Sequence, residues 1–377
     1  MRFFTIVFAA ATFASPLLAA PSPRRGIEIQ KFDGQTSGKY IVKVKSGVTR
    51  ADLFSKLGLN TTVTHDWKVL NGFAGNLDEN TINALRNSQD IEWISEDGIM
   101  HTMVTQTNAP WGLSRISSGT RLANQNANAL TFSYTFSSAG AGVDVYVVDT
   151  GVFIQHTQFG GRARWGATFG GFANADGNGH GTHCAGTVGG SQFGVAKSAN
   201  IIAVKVLSDS GSGSTSDIVS GLNFVLNAAR TSRRPSIVSM SLGGGISTAL
   251  DNAVASLTSA GVHVVVAAGN ENRDAGSSSP ARAPSAITVG ATTIADTRAS
   301  FSNFGSVVDV FAPGQAIISA GIRGTTATPH VAGLVATLIS SRGNSSPAAM
   351  KNLVKSLASK NVISGIPAGT TNALARN

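Results

Sequence analysis

Three polar residues of the sequence have the side chains that acyl-transfer chemistry needs. Asp149 closes the apolar segment VDVYVVD, His180 lies in the first turn of a small-residue helix that begins in DGNGHGTHCAG, and Asn270 directly follows VVAAG. A carboxylate can orient an imidazole, an imidazole can act as a general base, and an amide can donate to an oxyanion. Each residue alone is as well explained as a strand-end cap, a structural histidine or a turn residue. Their joint order favours nucleophilic acyl transfer.

A fourth segment, RGTTATPHVAGLVA at residues 323–336, is a polar Gly-Thr turn followed by an apolar helix. The exposed N–H groups of a helix N-terminus favour an anion or an activated nucleophile. The hydroxyl groups that this turn offers are those of Thr325 and Thr326. The segment therefore raises the question of which nucleophile belongs there.

Two other kinds of site are disfavoured by spacing. His180 and His183 lie three residues apart with Cys184 adjacent, but the sequence has no HExxH, and adjacent side chains diverge around a helix. The glycines of GNGHG and SLGGG do not form the GxGxxG fingerprint of a dinucleotide site. Neither zinc nor a dinucleotide is therefore expected.

The elements that must position these residues follow an alternating pattern. Near-continuous apolar strands alternate with helices, which predicts an α/β fold with a mostly parallel sheet covered by helices on both faces. In such sheets, functional residues gather beyond the carboxyl ends of the strands. The predicted strands are 143–149, 200–206, 236–242, 262–269 and 286–291, and the predicted helices are 179–190, 215–229, 247–260, 328–341 and 347–358.

A smaller unit precedes this pattern. Residues 39–98 alternate strand-like and helical segments and predict a small α+β module. Residues 21–38 are polar and rich in Pro and Gly, which indicates a linker. Residues 99–112 show no clear period and are interpreted as a connection.

The N-terminal segment and the glycosylation sequons indicate a secreted protein. The 377 residues are 42% apolar and 13% charged, enough for one large domain and a small one. Residues 1–20 resemble a signal peptide cleaved near Ala19 or Ala20, too short to span a membrane. The single Cys184 excludes an internal disulfide, whereas Asn60 and Asn344 begin glycosylation sequons. The net charge of +9 comes without a Lys/Arg run interleaved with aromatics, so no nucleic-acid partner is expected.

Several motifs together resemble one family. VVDTG, GNGHGTHCAGTVGG, MSLGGG, VVAAGNEN and ATPHVAGL, in this order, resemble the subtilisin-type serine proteases. TNAPWGLSRIS, the Cys184 that follows His183, and SFSNFGSVVDVFAPG are most similar to the secreted fungal proteinase K group. The resemblance covers residues 105–377 nearly end to end, and residues 39–98 resemble the inhibitory propeptide of such enzymes.

The resemblance implies a subtilisin-like fold and a role for each matched residue. Asp149 would orient His180, His180 would be the general base, and Asn270 would donate to the oxyanion. Asp309 and the backbone carbonyls of Pro284 and Ala286 match a structural calcium site. Residues that would line the substrate cleft, pairing with an extended peptide as added strands, are Gly211, Ser212, Gly213, Ser241, Leu242 and Gly243.

The resemblance also implies how the chain is secreted, processed and activated. The chain would be an extracellular monomeric endopeptidase that acts on proteins and peptides and is inhibited by its own propeptide. Residues 1–20 would be the signal peptide, 21–104 the propeptide and 105–377 the peptidase domain, with self-cleavage near residues 103–105.

The sequence departs from the family at the nucleophile. The family motif is Gly-Thr-Ser-Met-Ala-Thr-Pro-His, whereas residues 324–330 read GTTATPH, one residue short and without serine. The nucleophile's place falls on Thr325 or on Thr326, depending on the side from which the motif is aligned, and the preceding AIISAGIRG is also short. The methyl group of threonine restricts χ1 and hinders attack of its hydroxyl on a peptide carbonyl. A nucleophile that the shortened loop displaces also loses much of its reaction rate. We therefore expect the chain as written to be inactive or nearly so, through a gene-model deletion or as a genuine peptide-binding pseudoprotease. The intact remainder favours the deletion.

Overall fold

The chain forms two structural units, Met1–Gly98 and Ile99–Asn377. The alternating apolar segments build the sheet of the first unit, and the continuous apolar segments build that of the second. The computed structural model describes residues 26–32, 36–59, 62–99, 103–321 and 327–377. The predicted signal peptide at residues 1–20, together with Thr325 and Thr326, lies outside the described residues.

The first unit contains the predicted α+β module but begins earlier than predicted. Within residues 21–38, predicted to be a linker, Ile29–Gln30 forms a strand that pairs with residues 94–95. A two-residue strand leaves no apolar period in the sequence that would predict it.

The five-stranded sheet of this unit has the order β1-β5-β2-β4-β3. The alternation in KYIVKVK puts Val42 and Val44 into a core that includes Phe73 and Leu85. Its elements are β1 (Ile29–Gln30), β2 (Thr36–Val44), α1 (Arg50–Leu57), β3 (Val63–Trp67), β4 (Gly72–Gly75), α2 (Glu79–Asn87) and β5 (Ile91–Gly98).

The second unit is built on a nine-stranded sheet of order β15-β16-β14-β13-β12-β11-β8-β10-β9. Its pairings are parallel except that of β15 with β16. The strands of this sheet are β8 (Asp144–Asp149), β9 (Ala163–Thr168), β10 (Asn200–Lys205), β11 (Ser236–Met240), β12 (His263–Ala267), β13 (Ile287–Thr292), β14 (Val310–Pro313), β15 (Ser359–Lys360) and β16 (Ala373–Leu374).

Helices cover both faces of this sheet, as the continuous apolar strands predict. Along β8, Val145 and Val147 join the core on the face covered by α4, α7 and α8. Tyr146 and Val148 join the opposite core, with α5 and α6. The helices of the second unit are α3 (Trp111–Ser117), α4 (His180–Gly189), α5 (Thr215–Ser232), α6 (Thr248–Ser259), α7 (Thr328–Arg342) and α8 (Pro347–Leu357). Each of the predicted strands and helices of this unit is confirmed to within a few residues.

Residues 99–112 are not the simple connection that the sequence predicted. They include β6 (Val104–Ala109), which pairs antiparallel with β7 (Phe132–Phe136), and the start of α3 at Trp111. Most of β6 is exposed, so the sequence VTQTNA carries no apolar period that would indicate a strand. Within the described residues, no helix combines the length and apolarity needed to cross a membrane.

Candidate active site

The site lies at the carboxyl end of β8, between β10 and β11 in the sheet. Asp149 is the last residue of β8 and is fully buried. His180 is the first residue of α4, which packs against β8 and α7. The end of β8 and the start of α4 therefore bring together two residues that are 31 positions apart in the chain.

Asp149 and His180 form a direct hydrogen bond. The imidazole Nδ1 lies 2.7 Å from Asp149 Oδ1, which also accepts the N–H of Thr150 at 2.8 Å. The His180 side chain keeps 36% of its surface exposed. Because Nδ1 is engaged by the carboxylate, Nε2 is the nitrogen that remains to take a proton from a nucleophile. The neighbouring Cys184 and the Asp149 carboxylate raise the pKa of His180.

Asp176, which sequence analysis missed, fixes the start of α4. Its carboxylate accepts the hydroxyls of Thr150 at 2.8 Å and Thr182 at 2.5 Å, and the N–H groups of Gly179 and Thr182 at 2.8 and 2.9 Å. Burial raises the pKa of Asp176, but hydrogen bonds from Thr182, Gly179 and Thr150 outweigh it, and the net shift is downward. An acid four residues before the histidine, within DGNGHG, is the signal that could have revealed it.

Cys184 lies one helical turn beyond His180 and is buried. Its Sγ is 3.9 Å from Nδ1 and 4.0 Å from Nε2 of His180, and burial raises the pKa of the thiol. Asp149, His180 and Cys184 offer ligand atoms within 4.8 Å of one another. His183 does not join them, because its Nε2 lies 3.1 Å from the carbonyl oxygen of Ile317.

A cleft of about 500 Å³ opens beside His180. It is lined by all six residues predicted to hold the substrate, namely Gly211, Ser212, Gly213, Ser241, Leu242 and Gly243. Leu207, Ile218 and Leu250 add aliphatic surface to it. A Cβ atom at Gly213 would lie 2.2 Å from the carbonyl oxygen of Val206, so this wall requires glycine.

Asn270 follows β12 on an exposed loop and is not among the residues that line the cleft. The buried Asn303 holds this loop. Its Nδ2 donates to the carbonyl of Ala268 at 2.9 Å and to Glu271 Oε2 at 2.7 Å, and its Oδ1 accepts the N–H groups of Glu271 and Arg273, both at 3.0 Å. Asn303 belongs to the motif SFSNFG, whose sequence alone assigns this asparagine no role.

The nucleophile position lies in residues 322–326, outside the described residues. In the part of the chain that the structure describes, no hydroxyl group hydrogen-bonds to His180 Nε2, whose one sulfur neighbour is Cys184. Asp149 and His180 are held by their hydrogen bond to each other and by the hydrogen bonds of Thr150 and Asp176 around them, and these residues all lie outside residues 322–326.

The three residues predicted to bind calcium do converge, but on an ammonium group. Lys351 Nζ lies 3.0 Å from the carbonyl oxygen of Pro284, 2.7 Å from that of Ala286 and 2.8 Å from Asp309 Oδ2. Calcium takes six to eight oxygen ligands at about 2.3–2.6 Å. A lysine at the point where the oxygens converge does not fit a calcium ion there.

Comparison with known proteins agrees with this geometry. The Subtilase family (Peptidase S8) matches residues 140–373, and Peptidase inhibitor I9 matches residues 39–103. The chain therefore belongs to the subtilase family of serine proteases and carries an I9 inhibitor module before its peptidase domain.

Individual relatives place it near the proteinase K group. It is 42% identical over 387 residues to a cuticle-degrading protease of Metarhizium anisopliae, covering 97% of this chain and 98% of the relative. It is 46% identical over 352 residues to Proteinase R of Parengyodontium album, covering 90% and 88%. A crystal structure of a cold-adapted subtilisin-like serine proteinase matches with a TM-score of 0.65 at 47% identity, covering 71% of this chain and 98% of that one.

Proposed function

We propose that this chain is the precursor of a secreted endopeptidase that cleaves proteins by Asp-His-Ser acyl-enzyme chemistry, written here without its nucleophilic serine. The observation that carries the proposal is the 2.7 Å bond between Asp149 and His180 beside a cleft lined by all six predicted substrate residues. This is the arrangement of a general base and its orienting group in serine proteases.

With a serine at the start of α7, each group has one task. His180 Nε2 takes the hydroxyl proton as the oxygen attacks the peptide carbonyl, and buried Asp149 stabilises the imidazolium. The amide of Asn270 donates to the oxyanion that forms. His180 then gives the proton to the leaving amine, and water hydrolyses the acyl-enzyme with His180 again as base.

The cleft supports an extended, apolar substrate. Segments 211–213 and 241–243 offer backbone groups with which an extended peptide pairs as an added strand. Leu207, Ile218, Leu242 and Leu250 give the cleft an apolar lining. We therefore propose unfolded proteins as substrates, with apolar or aromatic residues before the cleaved bond.

The precursor is activated by loss of its first segment. Residues 1–20 direct secretion, the inhibitor module occupies the region before residue 104, and cleavage falls near residues 103–105. Met103 and Val104 are 66% and 50% exposed, so this peptide is accessible. The active product is an extracellular monomer.

As written, the chain does not complete the reaction. The hydroxyls of GIRGTTATPH belong to Thr325, Thr326 and Thr328, and the segment has no serine. Loss of a triad nucleophile leaves only the weak catalysis of binding and oxyanion stabilisation. Asp149, His180, Asn270, the cleft and the inhibitor module are all retained. We therefore favour a deletion in the gene model over decay of an unused enzyme.

The direct test is to sequence the transcript across residues 319–330. A transcript that restores Ser-Met and the missing loop supports an ordinary protease. For functional work we define a restored chain, in which residues 321–326 are replaced by the corresponding loop and Gly-Thr-Ser-Met segment of a relative. Failure of this restored chain to hydrolyse casein, while folding normally, would overturn the proposed chemistry.

The retained cleft favours one second candidate, a pseudoprotease that binds peptides. If the transcript confirms GIRGTTATPH, titration of the chain without its inhibitor module by a fluorescent apolar peptide should saturate. Replacing Gly243 with Trp would then abolish binding by filling the cleft, because Gly243 lines it and a Cβ there meets no atom closer than 3.6 Å. Unchanged binding by the Gly243→Trp variant would exclude the cleft as the site.

A further inference from the structure

We infer that the ammonium group of Lys351 permanently replaces calcium at the site formed by Pro284, Ala286 and Asp309, so that this part of the fold is held together without a metal ion. The inference concerns stability and does not depend on the proposed catalytic function. It rests on three features: the donor count, the local charge and the elements that the contacts join.

The donor count matches a lysine. An ammonium has three N–H donors, and three oxygens surround Lys351 Nζ at 2.7–3.0 Å, those of Pro284, Ala286 and Asp309. These are ordinary N–H···O distances. The Lys351 side chain is 18% exposed and that of Asp309 is 7% exposed, so the ion pair is largely withdrawn from water.

The local charge opposes a divalent cation. Lys355 lies one helical turn beyond Lys351 on α8, and its Nζ is 3.3 Å from Asp309 Oδ1. Asp309 Oδ2 also accepts the N–H of Thr288 at 2.9 Å. The two positive charges of Lys351 and Lys355 exceed the single negative charge of Asp309. Ca²⁺ would therefore have to enter a site of net positive charge.

The contacts join three separate parts of the fold. Pro284 and Ala286 belong to the loop before β13, Asp309 precedes β14, and Lys351 projects from α8. Met350 and Val354 of α8 are buried in the core, which holds Lys351 close to these oxygens. The ammonium group of Lys351 therefore bridges these parts with a cation that belongs to the chain itself.

The test is thermal unfolding of the full chain, whose lack of a serine nucleophile removes self-digestion from the measurement. Lys351→Met should lower the Tm of the larger unit by about 5 °C, since it leaves Asp309 and two carbonyls without their cation. Lys355→Met is the matched control. It should lower Tm less, because that side chain is 41% exposed. An unchanged Tm in Lys351→Met would overturn the inference.

Calcium is tested by comparing EDTA with millimolar CaCl₂. Asp309→Asn should lower Tm equally in both media, and any calcium response of the parent chain should survive in Asp309→Asn because it would arise elsewhere. A calcium-dependent rise in Tm that is present in the parent chain and lost in Asp309→Asn would place the ion at this site and refute the inference.

Discussion

Gly181 lies against Gly151 so closely that a Cβ atom at position 181 would be 2.0 Å from the Gly151 carbonyl oxygen. Gly151 follows Asp149 by two residues, and Gly181 follows His180 directly. The contact therefore brings the end of β8 and the start of α4 to the distance at which carboxylate and imidazole bond. Gly151 itself has φ +110° and approaches the Trp165 ring, so it too requires glycine.

Gly181→Ala should separate Asp149 from His180. In the restored chain we expect kcat to fall about 10²-fold, because a displacement of roughly 1 Å costs that much in a positioned site. The control is Gly119→Ala, where an added Cβ makes only ordinary contacts with the Arg376 side chain, the nearest at 3.5 Å. Hydrolysis of a peptide anilide measures both variants, and equal kcat values would contradict the role given to the glycine contact.

Asp149→Asn should remove the orienting charge and leave the fold in place. We expect kcat of the restored chain to fall on the order of 10⁴-fold with a small change in KM, as expected for loss of the group that fixes the histidine tautomer. Self-cleavage near residue 104 should stop as well. An active, self-processing Asp149→Asn variant would show that another group orients His180.

Asn303 should act on catalysis through the loop that carries Asn270. Asn303→Leu removes the four side-chain hydrogen bonds that hold residues 268–273. We expect kcat of the restored chain to fall on the order of 10²-fold, toward the cost of losing an oxyanion donor. KM for a peptide should change little, while affinity for a peptide boronic acid should fall in parallel with kcat. Equal losses in kcat and peptide affinity would indicate general disruption instead.

Acid should destabilise the larger unit through His263. Burial lowers the pKa of His263, whose Nε2 bonds to Asn344 Oδ1 at 2.9 Å. Below about pH 6.5, the histidine binds a proton in the unfolded chain but resists protonation in the folded chain. The free energy of unfolding therefore decreases as the pH is lowered from about 6.5 to the lower pKa of the folded state. For one histidine the slope is at most about 1.4 kcal/mol per pH unit.

His263→Gln should flatten this dependence, since glutamine donates to Asn344 without titrating. Urea unfolding of the chain as written, at pH 7.5 and 5.0, gives the free energy of unfolding for both forms. His183, whose pKa burial also lowers, remains in both and serves as an internal reference. Parallel pH profiles for parent and variant would contradict the prediction.

The central residues were predictable because their position follows from strand-end logic. A parallel sheet collects functional groups at one edge, and Asp149, His180 and the six cleft residues all lie there. The alternation of strands and helices was also predictable, because continuous apolar strands such as β8 must be covered by helices on both faces of the sheet.

What the sequence did not predict depends on contacts between distant segments. Lys351 lies on a polar face of α8, where a lysine is usually solvated, and only the fold shows that it meets Pro284 and Asp309. Asn303 looks like a loop residue until its four bonds are seen. The β6 strand pairs through its backbone while most of its side chains stay exposed, so no apolar period indicates it.

The most direct measurement compares the chain as written with the restored chain, both expressed in a protease-deficient host, by intact mass and gel mobility. We expect the chain as written, with its 377 residues, to keep its inhibitor module. The restored chain should lose the segment before residue 104, about a quarter of its length, and then hydrolyse casein. Asp149→Asn in the restored chain should stay uncleaved. Self-cleavage by the chain as written, near residue 104 and abolished by His180→Ala, would contradict the claim that this sequence lacks its nucleophile.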